Sequence, residues 1–360
     1  KISSKISIIQ GLAPPDRPVF PALIPLGENI HWFLFDREER KLKKLFTPKP
    51  ISRGKSKWAI QRIDVQGLLP VREYELLAGD ATGKLLDLRR FRPFSAQNDE
   101  FRISVLGGYR LARTENRKRL LEEVNSLKPQ LLILAGSTLR VVLPTASPLS
   151  SKDVSSSLFE QYATARSDFE IGYLENLVPI QALWNDDEFG QPDGNSSFVY
   201  RDKTRETLEL FFPHWADEET IVDGPGISLG LALPRNQIAF LDDLSFRKPP
   251  KMAPPICTKN KRGKEKCREG KMIPSGPGSR YSLVIENWLR HKAFKKEKDL
   301  WLLAGGSRLI LYRADWQGDA SLQDPNLSLS PAGPWVAQIV TNPEKKLELR
   351  SVSGAFKNTK

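Results

Sequence analysis

FRISVLGGYRLARTENRKRLLEEVNSLKPQLLILA, residues 101–135, is the stretch on which the fold turns. Phe101–Leu106 is a strand candidate, Thr114–Leu127 repeats its apolar positions at helical spacing among mixed charges, and Leu131–Ala135 is apolar at every position. A strand without polar alternation suits a parallel sheet covered on both faces. Strand, helix and strand in this order therefore predict an α/β body from here onward. The pair Gly107-Gly108 stands outside any G-x-G-x-x-G or P-loop context and marks a tight strand exit.

Upstream, residues 1–95 hold short apolar runs divided by Pro and Gly: Ile6–Leu12, Val19–Leu26, Ile30–Phe35, Trp58–Val65, Tyr74–Ala78 and Leu85–Phe91. Reversals at Gly67–Pro70 and Gly79–Gly83 give the spacing of an antiparallel, fibronectin-like β-sandwich. Downstream, helices are predicted over Tyr162–Leu177, Thr204–Phe212 and Tyr281–Phe294. Strands are predicted over Pro179–Leu183, Gly226–Ala232, Gln237–Leu241 and Leu300–Ala304, with a final pair in residues 335–352 turning at Asn342-Pro343. A chain of 360 residues exceeds what one core usually serves. The expected organisation is α+β in two domains, a sandwich over 1–95 and an α/β body over 99–360. No window approaches the roughly 20 apolar residues of a spanning helix.

The net charge of +12 is local. Residues 37–57 hold nine Lys/Arg against Glu38 and Glu39, and residues 247–271 hold ten against Glu265 and Glu269. Both segments read as basic loops on a nearly neutral body. They are poor in aromatic residues, and no helix-turn-helix or RNP-like signal occurs, which argues against nucleic acid as the partner.

Chemistry has few candidates. His31, His214 and His291 lie in unrelated contexts, and no Cys/His or H-E-x-x-H pattern exists for zinc. The triplet Asp186-Asp187-Glu188 is different, because it follows an apolar strand at the end where α/β folds place ligands. Asp186 and Glu188, two apart, would face one way along an extended chain. Asp242-Asp243 closes the Gln237–Leu241 strand in the same manner, and two such ends in one sheet would form one rim.

The run from Val178 to Gly190, including Trp184-Asn185-Asp186-Asp187-Glu188-Phe189-Gly190, together with Phe212-Pro213-His214-Trp215 and Leu241-Asp242-Asp243-Leu244-Ser245-Phe246-Arg247, resembles the PhoD-like alkaline phosphatases. The resemblance implies a metallophosphoesterase α/β sandwich behind an N-terminal β-sandwich, in a typically exported protein. Its departures fall on the implied metal ligands. Ser137 stands where the family has a bridging Asp, Arg140 where it has Tyr, and Asn185-Asp186-Asp187-Glu188 where it has D-D-H-D. Gly107-Gly108 replaces a usual Ser-Cys pair, and Gly306-Ser307-Arg308-Leu309 replaces a late His-bearing motif. The framework at Trp184, Phe189-Gly190 and Trp288-Leu289 remains.

A metal-assisted phosphoesterase needs several anionic or imidazole ligands. An Arg at a ligand position opposes a cation electrostatically. The expected protein is therefore a degenerate, catalytically inactive member, with no metal or other cofactor, acting as a binding or structural component of the cell envelope. The alternative is a divergent metal-dependent phosphomonoesterase or phosphodiesterase holding a divalent ion at Asp186, Glu188 and Asp242. A protein partner or an anionic envelope polymer is expected to meet Lys259, Lys261, Arg262, Lys264, Lys266 and Arg268. Cys257 and Cys267, the only two Cys, are expected to form a disulfide closing the 247–271 loop, which suits an oxidising compartment. With Lys1 in place of an initiator Met, the expectation is a periplasmic or secreted chain after signal removal.

Overall fold

The computed structural model describes residues 6–96, 100–112, 114–143, 150–192, 194–234, 236–247, 249, 251–252, 256–259, 265–268, 272–273, 283–289, 299–304, 309–314, 327–329, 334–342 and 345–353. Strands β1 (Ser7–Ile8), β2 (Gln10–Gly11), β3 (Val19–Pro25), β4 (His31–Asp36), β5 (Lys41–Phe46), β6 (Trp58–Asp64), β7 (Tyr74–Gly79) and β8 (Leu85–Phe91) make up the front of the chain. Two sheets, β1-β3-β6 and β5-β4-β7-β8, are antiparallel throughout. They close on a core that includes Ile8, Phe20, Trp32, Ile63, Leu76 and Phe91. β4 shows the alternation expected of a half-buried strand, with Trp32, Leu34 and Asp36 inward.

β2 does not join this sandwich. It pairs in parallel with β11 (Pro179–Leu183) and so extends a six-stranded sheet ordered β2-β11-β10-β9-β22-β23. Here β9 is Phe101–Gly107, β10 Leu131–Ala135, β22 Trp335–Asn342 and β23 Lys345–Ser353. β9, β10 and β11 are parallel, as the apolar runs predict, and β22 and β23 form the expected final antiparallel pair. Leu132 and Leu134 face helices α1 (Thr114–Ser126), α2 (Ser151–Ser167) and α4 (Arg201–Phe211) across one core, while Leu131, Ile133 and Ala135 face a second sheet across another. That second sheet runs β12-β13-β14-β19-β20-β21, with β12 at Ile221–Asp223, β13 at Leu229–Ala232, β14 at Asn236–Leu241, β19 at Asp299–Ala304, β20 at Leu309–Ala314 and β21 at Leu327–Leu329. The chain is thus a mixed α/β protein with several sheets, and none of its described helices is long and apolar enough to cross a membrane.

Three local expectations are corrected. The helix expected over Tyr162–Leu177 begins at Ser151, where the Ser150 hydroxyl accepts from the Asp153 N–H at 3.2 Å. It ends at Ser167, before a 3-10 turn over Glu170–Tyr173. The Ser-rich first turns hid its start, because Ser is a good cap and only a middling helix former. The basic segment 37–57 is not simply a loop: Lys41–Phe46 is an edge strand, and Arg37 and Lys43 are ion-paired to Glu73, Glu75, Asp36 and Glu39. The segment 247–271 also carries strands, with β15 (Lys251–Met252) paired to β18 (Met272–Ile273) and β16 (Ile256–Lys259) to β17 (Glu265–Arg268).

In the β16–β17 ladder Cys257 and Cys267 are direct cross-strand partners. Opposed Cα atoms in antiparallel pairs lie about 4.5 or 5.5 Å apart, inside the span a disulfide bridges. The expected result is an intact mass, without reductant, two hydrogens below that of the reduced chain. Two alkylatable thiols in the native protein would remove the bridge. Lys259, Lys266 and Arg268 lie on these strands, whereas Lys261, Arg262, Lys264, His291 and Gly305-Gly306-Ser307-Arg308 lie outside the described residues.

Candidate functional site

The carboxyl ends of β10 and β11 stand side by side, and the chain leaves both through strained or capped turns. After β10, Gly136 and Ser137 both take left-handed backbone, at φ 82° and 49°. Gly136 has no alternative, since a Cβ there would come within 2.8 Å of the Asn185 Cβ. Ser137 bears a modest conformational cost and is held by its surroundings. Its carbonyl accepts from the Arg110 N–H at 2.9 Å, its Oγ donates to Asp187 Oδ2 at 2.9 Å, and it accepts from Asn185 Nδ2 at 2.6 Å.

This turn aims the N–H groups of Ser137, Thr138 and Leu139 at one point, an arrangement that suits an anion. The anion is the protein's own Glu188. After β11, residues Asp186–Phe189 form the one-turn helix α3 instead of an extended strand end. Asn185 caps it, with Oδ1 accepting from the Asp187 N–H at 2.9 Å, and Gly190 closes it at φ 87°. The helical turn directs Glu188 inward, where it is 2% exposed. Its carboxylate accepts from the N–H groups of Ser137 (3.2 Å), Leu139 (3.1 Å), Asn185 (3.0 Å) and Thr138. Burial pushes this carboxyl up to about 7, the backbone donors of Asn185, Leu139 and Thr138 oppose the rise, and the neighbouring Asp187 charge adds to it.

Asp186 and Glu188 therefore do not share a face, contrary to the extended-strand expectation. Asp186 Oδ1 accepts from the Gly194 N–H at 3.0 Å. Asp187 receives Ser137 Oγ and, at 3.2 Å, an Arg110 guanidinium nitrogen. Arg140 is exposed at the mouth of the same turn. The two acidic strand ends also belong to different sheets, β11 to the first and β14 to the second. Trp184 joins them, its Nε1 donating to Asp242 Oδ1 at 2.9 Å. Asp242 is fully buried and also accepts from the N–H groups of Ser245 (3.0 Å) and Ile227 (3.1 Å). Burial raises its carboxyl above the usual range despite these donors.

This donor set does not suit a divalent cation. The carboxylates of Glu188 and Asp242 are engaged with N–H donors, and a guanidinium stands against Asp187. Among the described residues no three His, Cys, Asp or Glu gather as a ligand group. Of the three His, His214 pairs with Asp223 at 3.0 Å, outside this site, and His31 lies on β4. Reading the sequence missed Arg110 and Thr138, which adjoin the site through a 3-10 turn (Tyr109–Leu111) and the β10 exit. It also missed the inward turn of Glu188, although Asn185 and Glu188 stand at capping-box spacing and Gly190 follows as a helix stop.

No protein-family model matches the sequence, and no curated protein matches it. Among solved structures the chain is similar to one titled "Structure of PhoD", with a TM-score of 0.48 and 13% identity over 69% of this chain and 54% of that one. The chain thus spans about half the length of that protein. Two structures of the sensor domain of the anti-sigma factor RsgI4 in Pseudobacteroides cellulosolvens also align. Their TM-scores are 0.19 and 0.19 and their identities 14% and 13%, over 24% and 25% of this chain and 86% and 96% of theirs.

Proposed function

We propose that this chain is a catalytically inactive PhoD-like protein, a binding or structural component of the cell envelope, acting in the periplasm or outside the cell. The observation that carries the reading is Glu188. A carboxylate at the rim where the resembling family holds its metal is turned into the fold and bound by four backbone N–H groups. Replacement of the family's Asp and Tyr by Ser137 and Arg140, and of its His by Asp187, supports the same reading, because the first two changes remove a metal ligand or add a cation and the third leaves a carboxylate that Arg110 neutralises. The strand orders β1-β3-β6 and β5-β4-β7-β8 support the fibronectin-like reading of residues 1–95. The basic segment 247–271, with Lys259, Lys261, Arg262, Lys264, Lys266 and Arg268, is the contact element for an acidic protein surface or anionic envelope polymer, and its charge makes that contact salt-sensitive.

Elemental analysis of purified protein is expected to show no stoichiometric metal, and generic phosphomonoesters and phosphodiesters are expected not to turn over with added divalent ions. Stoichiometric metal together with turnover abolished by Asp186→Ala would establish the divergent phosphoesterase instead. In the same preparation, charge reversal at Lys259, Lys261, Arg262 and Lys264 is expected to weaken retention on an anionic polymer without moving the thermal transition. Unchanged retention would place the interface elsewhere.

A further inference from the structure

Beside the Glu188 turn lies a cavity of about 390 Å³, walled by the β10 exit, the Tyr109–Leu111 turn, helix α1 and the C-terminal half of α2. Three guanidinium groups line it, Arg110, Arg117 and Arg140. Arg110 is fixed by its own N–H on the Ser137 carbonyl and by Asp187. Arg117 is fixed by Thr114 Oγ1 at 3.2 Å and by the Tyr109 ring, 5.8 Å from its guanidinium carbon. Its carboxylate neighbour, Glu170, is 3.9 Å away and receives the Tyr109 hydroxyl at 2.6 Å. Burial and Glu170 together raise the Tyr109 hydroxyl far above its usual range, so it remains a donor.

Three polar atoms here are buried without a hydrogen-bond partner, Arg110 Nε, Thr138 Oγ1 and Glu160 Oε2, while Arg117 Nε faces the Glu170 carboxylate at 3.9 Å. Thr138 itself is 3% exposed, and its backbone N–H is already committed to Glu188. Buried donors of this kind cost stability unless an acceptor meets them. The planar guanidinium fork suits phosphate and carboxylate oxygens, and side chains already held in place lose little freedom on binding. The wall carries Glu160 and Asp168 beside the three guanidinium groups, and Asp187 and Glu170 meet Arg110 and Arg117 at 3.2 Å and 3.9 Å. Glu160 Oε2 supplies an acceptor for a hydrogen-bond donor on the same ligand.

We propose that this cavity is a binding site for a small oxyanion that also carries a hydroxyl or amino group. Its phosphate or carboxylate head is taken by Arg110, Arg117, Arg140 and Thr138 Oγ1, and its donor by Glu160. The site deepens the binding reading given above and rests on it. Titration calorimetry with glycerol phosphate, glycerate, inorganic phosphate and glycerol tests it. The two charged, hydroxylated probes are compared directly, and whichever binds more tightly identifies the head group; glycerol alone is expected to give no heat.

Arg140→Gln, on an exposed side chain, and Arg117→Gln are each expected to weaken the better probe about tenfold, and Thr138→Val about threefold to tenfold. Glu160→Gln is expected to weaken that probe but not inorganic phosphate. Absence of binding by the unaltered protein at about 10 mM of either charged probe, or affinities unchanged in both Arg variants, would overturn the proposal. Turnover of glycerol phosphate is followed separately. Hydrolysis with binding would remove the non-catalytic reading and leave the site standing, whereas no binding and no hydrolysis would remove only the site.

Discussion

Glu188→Ala is expected to lower the unfolding free energy by about 4 kcal/mol, read as a shift of the urea midpoint with unchanged slope. The substitution strips the shared acceptor from the N–H groups of Ser137, Thr138, Leu139 and Asn185, all of them in buried residues, and opens the cap of α3. It also releases the left-handed Ser137 from one of its restraints. Glu188 further imposes a pH dependence whose sign follows from its burial. The folded carboxyl lies at about 7 against 4.5 when unfolded, so the folded state keeps a proton that the unfolded chain gives up. Its contribution is full below pH 4.5, falls as pH rises toward 7, and is flat above, a swing of about 3 kcal/mol. Asp242 is raised for the same reason and adds loss of the same sign above its unfolded value of 3.8. Asp36 and Asp223 are lowered by their partners and act below 3.8, outside the window. Glu188→Gln carries no titrating proton, so the stability difference between it and the unaltered protein should track the swing. A difference flat between pH 4.5 and 7.5 would show that the four N–H donors outweigh burial.

Arg166→Met is expected to cost a comparable amount, about 4 kcal/mol, through a different part of the molecule. Arg166 is 1% exposed on α2 and has no carboxylate partner among the described residues. Its guanidinium instead donates to the Phe211 carbonyl at 2.9 Å, the Pro21 carbonyl at 3.1 Å, the Ser7 carbonyl at 3.5 Å and Ser7 Oγ at 3.2 Å. Burial lowers it to about 9, which leaves it charged at neutral pH. One side chain thus ties β1 and β3 of the sandwich to the ends of α2 and α4 in the α/β body. Met keeps the apolar volume and orphans three carbonyls, each worth about 1–3 kcal/mol when buried and unpaired, with partial relaxation. Lys keeps the charge but cannot reach all four acceptors as a fork, and is expected to recover less than half of the loss. Amide exchange of β1 and β3 should accelerate in Arg166→Met ahead of exchange in β9 and β10. A loss below about 1 kcal/mol would show that the joint is held by the apolar contacts alone.

The sequence by itself determined the elements whose signals are local. The apolar runs of β9, β10 and β11 announced a covered parallel sheet because every position must face a core, and residues 335–352 announced the final antiparallel pair, whose expected turn at Asn342-Pro343 reaches outside the described residues. Gly107-Gly108 likewise marked a strand exit, where Gly108 takes φ 66° and a Cβ on Gly107 would strike the Trp335 indole at 2.4 Å. The acidic triplet was legible as a strand end but not in its direction: one helical turn, set by Asn185 and Gly190, separates Glu188 from Asp186 and points it into the turn after β10, 49 to 51 residues earlier in the chain. Tertiary structure alone decided the partners of Arg166, the meeting of Trp184 with Asp242 across two sheets, and the pairing of Arg37 with Glu73 and Glu75 that neutralises part of a basic run. Nothing within a few residues of Arg166 distinguishes it from an exposed helical Arg, because the carbonyls that hold it come from segments 45 to 159 residues away. A side chain's burial and charge state are set by what the fold brings against it, and that information is spread over the whole chain.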